Sequence, residues 1–420
     1  MRTSRLLIVA GILFAAYGVA FAARSSGDET LSVAGIKEDV KEQIDWVRQR
    51  RTFTMNGDPY GMTSLPIVFY TPSSGFHYGG WVEVANYSER PYAYRVNVQW
   101  YLSTKGKRNH HLRLEFPSLL TDWINMRIMT QDLKDVGANF FGIGNDSEIK
   151  ETSIHSQPDY YVYHLEQQRT GLDFEGRLWG PLSVFAGVRA NRGLPSRVDE
   201  SKNFSYYVFN SGFTGVAAGW SNFFITGFII DTRNDVQMPT RGTMSELSVQ
   251  KSYDWLGSDY EFRRITAIHT HYHPVRLRFD RAKYILVNRF LFENMNGTVP
   301  FYELTQVGGS IRGIDVGGTA SFRGYESRRF ADRQKFILTS ELRRFFPSFR
   351  IRKQFVQSHT ILFTDIGRVA DKPGDLVSTN LHACIGAGFR VIWNTQLSLR
   401  TDYAVSPEGE KFYLTFGSQF

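Results

Sequence analysis

The sequence predicts an all-β fold: a transmembrane antiparallel β-barrel of about 16 strands, preceded by a short N-terminal helical segment. Three observations carry that expectation. Beyond Met62 apolar and polar residues alternate with period two up to the last residue, the pattern of strands that are apolar on one side only. These segments run to about 10 residues, the length of a tilted membrane-spanning strand and longer than the about 5–6 residues usual in a soluble sandwich. Hydrophobic residues make up 42% and aromatics 15% of the 420 residues, yet the mean hydropathy is −0.30, so apolar side chains are interleaved with polar ones. After the first twenty-odd positions no run approaches the roughly 20 apolar residues that a spanning helix requires.

Residues 1–22 read as a signal peptide. Arg2 and Arg5 precede an uncharged stretch from Leu6 to Ala22 that closes on Ala20-Phe21-Ala22, which fits the small-x-small rule for cleavage. About 17 apolar residues also sit at the lower edge of a bilayer span, so a retained anchor is the competing reading. The single cysteine, Cys384, excludes a disulfide framework and any multi-thiolate metal site. An exported, nearly cysteine-free chain points to the Gram-negative envelope, and with the strands described below to its outer membrane.

Residues 23–63 read as a periplasmic lead-in with an amphipathic helix. Val33, Ile36, Val40, Ile44 and Val47 recur on one helical face, and Lys37, Glu38, Asp39, Lys41, Glu42, Asp45 and Arg48 occupy the rest. Two readings stay open: a helix that plugs a pore or docks a partner, and a solvated leader to the first strand.

Residues 64–420 read as the barrel, with the first strand near Leu65 to Tyr70. From Tyr92 to Ser103, Tyr94, Val96, Val98, Trp100 and Leu102 share one face and Arg95, Asn97 and Gln99 the other. Leu397, Leu399, Tyr403 and Val405 oppose Ser398, Arg400 and Asp402, and Phe412, Leu414, Phe416 and Phe420 oppose Lys411, Thr415 and Gln419. A sheet in lipid must close on itself, because an open edge would leave backbone groups without partners. Trp81, Trp123, Trp179, Trp220 and Trp255 fall near expected strand ends, where interfacial girdles sit. Ordinary strand packing is the alternative for each of them.

Chemistry-bearing motifs are few. His269, His271 and His273 alternate on one strand, so a neighbouring pair could chelate a divalent metal; no carboxylate or further histidine nearby completes a site, and they read as polar lumen or rim residues. There is no G-x-S-x-G elbow, P-loop or H-E-x-x-H run. No catalytic residue, metal or cofactor is assigned. The net charge of +8 and pI near 9.4 would suit nucleic acid, but the basic residues are spread along the chain without a recognition motif, and nucleic acid is excluded as a partner.

Several motifs in order resemble the C-terminal barrel of the BamA/TamA superfamily, often called the bacterial surface-antigen domain. They are Phe141-Gly142-Ile143-Gly144-Asn145-Asp146; Asp231-Thr232-Arg233-Asn234-Asp235 with Pro239-Thr240-Arg241-Gly242; Gly308-Gly309; Ser321-Phe322-Arg323-Gly324-Tyr325; Glu341-Leu342-Arg343; and Phe363-Thr364-Asp365-Ile366-Gly367-Arg368. The terminal Phe420, after alternating aromatics, is similar to the targeting signal of outer-membrane barrels. The resemblance implies that Phe322, Arg323, Gly324 and Tyr325 top a long loop folded back into the barrel. Arg323 would meet an acidic residue on the inner wall, Asp365 first and Glu341 second. Alternation supports Glu341, which falls opposite Phe336, Leu338 and Leu342; Asp365 instead shares its parity with Ile361 and Phe363. The family's larger members carry POTRA domains of about 75 residues before the barrel, and the lead-in has no room for one, so the chain resembles a short form. The function implied is insertion or translocation of envelope proteins or lipids through a seam between the first and last strands, of which Phe412, Leu414, Phe416 and Phe420 form one edge. Its partners would be outer-membrane lipid and lipopolysaccharide, with a periplasmic or membrane protein supplying the POTRA role. The alternative is a passive surface antigen or pore.

Overall fold

The computed structural model describes residues 52–418 apart from 72–73, 90, 119–122, 151–158, 199–207, 237, 278–279, 311–313, 320, 352–353, 378–379 and 394–396. The expected signal peptide, the helical stripe of the lead-in and Phe420 lie outside the described residues. The chain divides into two units at Trp46 and Val47, and all described residues belong to the second.

Strands β1 (Thr52–Met55) and β2 (Asp58–Thr71) are joined by Asn56-Gly57, with φ of 55° and 88°. Positive φ at both central residues is the backbone of a type I′ hairpin turn, for which Asn-Gly is the preferred pair. Strand structure therefore begins about a dozen residues before position 64, a correction to the expected boundary. Next come β3 (Gly75–Asn86), β4 (Tyr94–Ser103), β5 (Arg108–Phe116), β6 (Ile124–Asn139), β7 (Val162–Trp179), β8 (Leu182–Arg197), β9 (Gly219–Asp231), β10 (Gly242–Ser252), β11 (Phe262–Leu277) and β12 (Asp280–Gly297). Each pairs antiparallel with the next. The connection that follows holds a one-turn helix α1 (Phe301–Leu304) and a two-residue ladder of β13 (Gln306–Val307) with β14 (Ile314–Asp315). Beyond it β15 (Gln334–Phe345) returns to pair with β12. A short β16 (Phe349–Ile351) folds back on β17 (Gln354–Ala370), which pairs with β15, and β18 (His382–Trp393), β19 (Leu397–Ser406) and β20 (Gly409–Ser418) complete the meander. Sixteen strands have nine residues or more; β1 and β16 are extensions of hairpins. Among the described residues no ladder joins β20 to β2.

The connections are sorted by end. Four long ones, 140–161, 198–218, 298–333 and 371–381, all lie at one end, while the opposite end has turns as short as two residues at 56–57 and 180–181. That asymmetry is characteristic of outer-membrane barrels. Burial alternates as the sequence alternates. Phe412 and Leu414 on β20, Leu362 on β17, Ile385 on β18 and Phe228 on β9 are all more than half exposed, whereas Cys384, Asp402 and Ala404 face inward and are buried. A belt of exposed large apolar side chains would be insoluble in water and is what hydrocarbon accepts. Trp123 and Trp179 mark the turn end of this belt, and Trp220 and Trp255 the long-loop end, all exposed. Trp81 departs from the girdle expectation: it lies inside β3, faces inward and is buried.

Candidate functional site

The inner face of a wide barrel is normally wet and polar. Here the inner wall formed by β17, β18 and β19 is apolar at Ile361, Phe363, Val369, Cys384 and Ala404, because the connection 298–333 is folded onto it. Phe322, Tyr325 and Phe330 of that loop join those wall residues, with Val307 and Val316, in one buried cluster. Their rings pack at centroid distances of 4.7 to 5.6 Å. This resolves the parity conflict at Asp365: its neighbours are apolar and inward because they touch a plug rather than water.

Arg323 is the polar centre of that contact. Its Nε and Nη2 donate to Asp365 Oδ2 and Oδ1 at 2.9 and 2.8 Å, its Nη1 donates to Glu341 Oε1 at 2.8 Å, and its backbone N–H donates to Asp365 Oδ2 at 3.0 Å. One planar guanidinium thus engages two carboxylates, one of them bidentately. The structure places both expected wall residues on Arg323 at once. The guanidinium carbon also stands 3.5 Å from the centre of the Phe363 ring, a cation–π contact. Arg323 is 3% exposed and Asp365 0%. Burial opposes the charge on Arg323, but the bonds to Asp365 and the charge of Glu341 outweigh it and hold the group above its ordinary value.

Gly324 has φ 86°, and a Cβ there would stand 2.9 Å from Cys384 Cβ and 3.2 Å from Ser406 Cβ. Only a residue without a side chain lets the loop backbone approach the wall this closely. Ser406 Oγ donates to Gly324 O at 2.7 Å, Tyr413 OH donates to Tyr325 O at 3.1 Å, Tyr325 OH donates to Ala383 O at 3.0 Å, and Lys411 Nζ pairs with Glu326. Arg329 bonds Glu408 at 2.7 Å in the β19–β20 turn and Ser147 Oγ at 2.8 Å in the β6–β7 loop. The tip is therefore fastened to the last five long strands of the sheet, β15, β17, β18, β19 and β20.

The rest of the loop is held from the opposite wall. Arg328 reaches Asp315 within the loop at 3.2 Å and Asp135 on β6 at 3.5 Å. Arg189 on β8 pairs with Asp173 at 3.0 Å and donates to Gly309 O and Ser310 O. Glu246 on β10 accepts from Ser310 N at 2.6 Å, and Glu293 on β12 accepts from Gly308 N at 2.6 Å while pairing with Lys335 at 2.6 Å. Glu303 of α1 pairs with Arg264 at 2.9 Å and accepts from Asn191 Nδ2 at 2.8 Å. Sequence reasoning does not find these residues, although a charged residue following alternating phenylalanines, as Glu293 follows Phe290 and Phe292, was the available signal.

Other expectations separate. His269, His271 and His273 lie on the outward face of β11, alternating with the buried Thr266 and Thr270, so the lumen reading of these histidines fails; His269 shares a hydrogen bond of 2.8 Å with Ser245. Phe412 and Leu414 line the outer face of β20; Phe416 lies on the same strand.

Residues 154–420 match the Omp85 superfamily domain. No curated protein matches the sequence. Among solved structures the chain is similar to BamA from Haemophilus ducreyi lacking POTRA domains 1–3, with a TM-score of 0.54 and 14% identity over 94% of this chain and 79% of that one. It is also similar to CdiB from Escherichia coli, with a TM-score of 0.54 and 11% identity over 91% of this chain and 70% of that one. CdiB from Acinetobacter baumannii gives a TM-score of 0.51 and 11% identity over 86% of this chain and 59% of its own. At these identities the likeness concerns the fold alone, while the domain match covers more than half of the sequence: the chain is an outer-membrane β-barrel protein of the Omp85 superfamily.

Proposed function

We propose that this barrel assists insertion or translocation of envelope proteins or lipids through the junction between β2 and β20, with the long loops outside the cell and the short turns in the periplasm. The observation that carries this reading is where the plug is anchored. Its tip is tied by Arg323, Gly324, Tyr325, Glu326 and Arg329 to β15, β17, β18, β19 and the β19–β20 hairpin. The loop thereby braces the terminal strand from within, and a strand edge held in shape can receive an incoming strand by β-augmentation. Outer-membrane lipid and lipopolysaccharide would surround the barrel, and a separate protein would supply the role of POTRA domains.

The test is a disulfide across the junction. Cysteines replacing Phe69 and Thr415, scanned over neighbouring positions until oxidation links them, are introduced with Cys384→Ala and reconstituted in liposomes. Oxidation should abolish client insertion and reduction should restore it. Undiminished insertion by the linked protein would overturn the lateral-seam mechanism and leave the passive-pore reading.

A further inference from the structure

Beside Gly308-Gly309 the plug and the wall that faces it border a cavity. Strand register sets His111, Gln131, Arg169 and Asn191 in one row on the inner face, each opposite the next across β5, β6, β7 and β8. Gln306 and Gly309 of the loop line the other side of this space of about 90 Å³, which is room for several waters or for one tetrahedral oxyanion. A Cβ on Gly308 would stand 2.5 Å from Arg264 Cδ and 3.1 Å from Gln250 Nε2, so only glycine lets the loop sit this close to β10 and β11 at the cavity's edge.

Of the three guanidiniums at the cavity, two are matched: Arg189 pairs with Asp173 at 3.0 Å and Arg264 with Glu303 at 2.9 Å. Arg169 meets no carboxylate among the described residues. Its Nη2 donates to the neutral amides of Gln167 and Gln306 at 2.9 Å each, and its Nε–H, shielded from solvent, has no acceptor. A shielded cation without a counter-charge is costly, so the space beside it favours an anion. Directly across the ladder Asn191, 8% exposed, donates Nδ2 to Glu303 Oε1 at 2.8 Å. The carboxylate fixes which end of the amide faces it, and Oδ1 is left without a donor. A charged donor and an empty acceptor thus border one cavity from strand positions roughly 5 Å apart.

We propose that this cavity binds inorganic phosphate as hydrogen phosphate. The oxygens of the ion accept from Arg169 in a charge-assisted bond, and its P–OH donates to Asn191 Oδ1, so one ion satisfies both groups. Sulfate can use the cation but has no proton for the amide oxygen. The bound ion touches wall and loop together, and occupancy therefore fastens the plug at Gln306 and Gly309 as well as at its tip.

The experiment uses the full chain in neutral detergent, in phosphate-free buffer. Thermal unfolding is followed as inorganic phosphate, sulfate or methyl phosphate is added at constant ionic strength. At about pH 8 inorganic phosphate keeps one P–OH, whereas sulfate has none and methyl phosphate has lost its last proton at about pH 6. Phosphate should raise the unfolding temperature saturably. Sulfate and methyl phosphate should bind more weakly by about tenfold or more, because the Asn191 acceptor stays unmade. Asn191→Ala should bring phosphate down to the sulfate level, a ratio that general loosening would not move. Arg169→Gln should remove the protection by phosphate while the phosphate-free unfolding temperature falls little or not at all, since an uncompensated cation is gone. Equal protection by sulfate would mean an unselective charge effect, equal protection by methyl phosphate a site for phosphomonoesters, and no protection by phosphate a cavity filled by water only. Any of these results, or full protection in Arg169→Gln, overturns the proposal.

Discussion

At the scale of single residues the site turns on how many carboxylates one guanidinium neutralises. Replacing Arg323 by Ala leaves Asp365 and Glu341 charged and without their shared partner in a buried setting, which costs about 3–5 kcal/mol. The expected outcome is a lower unfolding temperature in detergent and earlier proteolysis within 298–333. Arg323→Lys should recover little, because an ammonium cannot reproduce the fork that serves two acids at once. Wild-type stability of the Lys variant would show that charge alone, not geometry, holds the tip. Gly324→Ala should cost about 1–2 kcal/mol by the same measurement, since it forces a side chain into the left-handed region against Cys384. Arg323, Asp365 and Glu341 were legible as residues through their motifs. The inward parity of Asp365 was not, because alternation alone cannot tell an apolar face that meets lipid from one that meets a plug.

At the scale of elements, the Phe141–Asp146 motif is a strap across the long-loop end. Asn145 Oδ1 accepts from Val369 N at 3.2 Å, its Nδ2 donates to Asn380 O at 3.1 Å, and its carbonyl bonds His382 Nε2 at 2.9 Å. Gly144 N donates to Ala331 O at 2.9 Å, and Asn380 bonds Asp146. The β6–β7 loop is therefore tied to both ends of the β17–β18 connection and to the plug. Asn145→Ala removes these two side-chain bonds and a third, from Nδ2 to Asp146 Oδ1 at 3.1 Å, each worth about 1 kcal/mol. Amide exchange at Val369 and within 371–381 should accelerate about tenfold or more, while the barrel strands stay protected. Unaltered exchange there would mean that neighbouring contacts hold the loops without the asparagine. The motif was visible in the sequence, but its partners lie 187 to 237 positions away and no local pattern names them. The β1–β2 hairpin was missed for the opposite reason: Asn56-Gly57 is a strong local signal masked by the polar lead-in around it.

At the scale of the whole molecule, strand number and contents pull in different directions. The period-two pattern and segment length made about 16 strands legible, and sixteen long strands are present. A barrel of that size ordinarily encloses an aqueous channel. Here the loop 298–333 occupies the interior, braced by ion pairs on one wall and by Phe322, Tyr325 and Phe330 on the other. Expelling it would expose those rings and the apolar wall to water, at about 1.5–3 kcal/mol for each large side chain. A resident plug of this kind does not leave when one contact breaks. Reconstituted in planar bilayers, the wild-type protein should conduct far less than an open sixteen-stranded porin. Arg323→Ala/Arg329→Ala, which cuts the ties to Asp365, Glu341, Glu408 and Ser147, should add brief openings without a stable high-conductance state. A wild-type channel that stays fully open would show that the loop does not reside in the lumen, and the link between plug and terminal strand would fall with it.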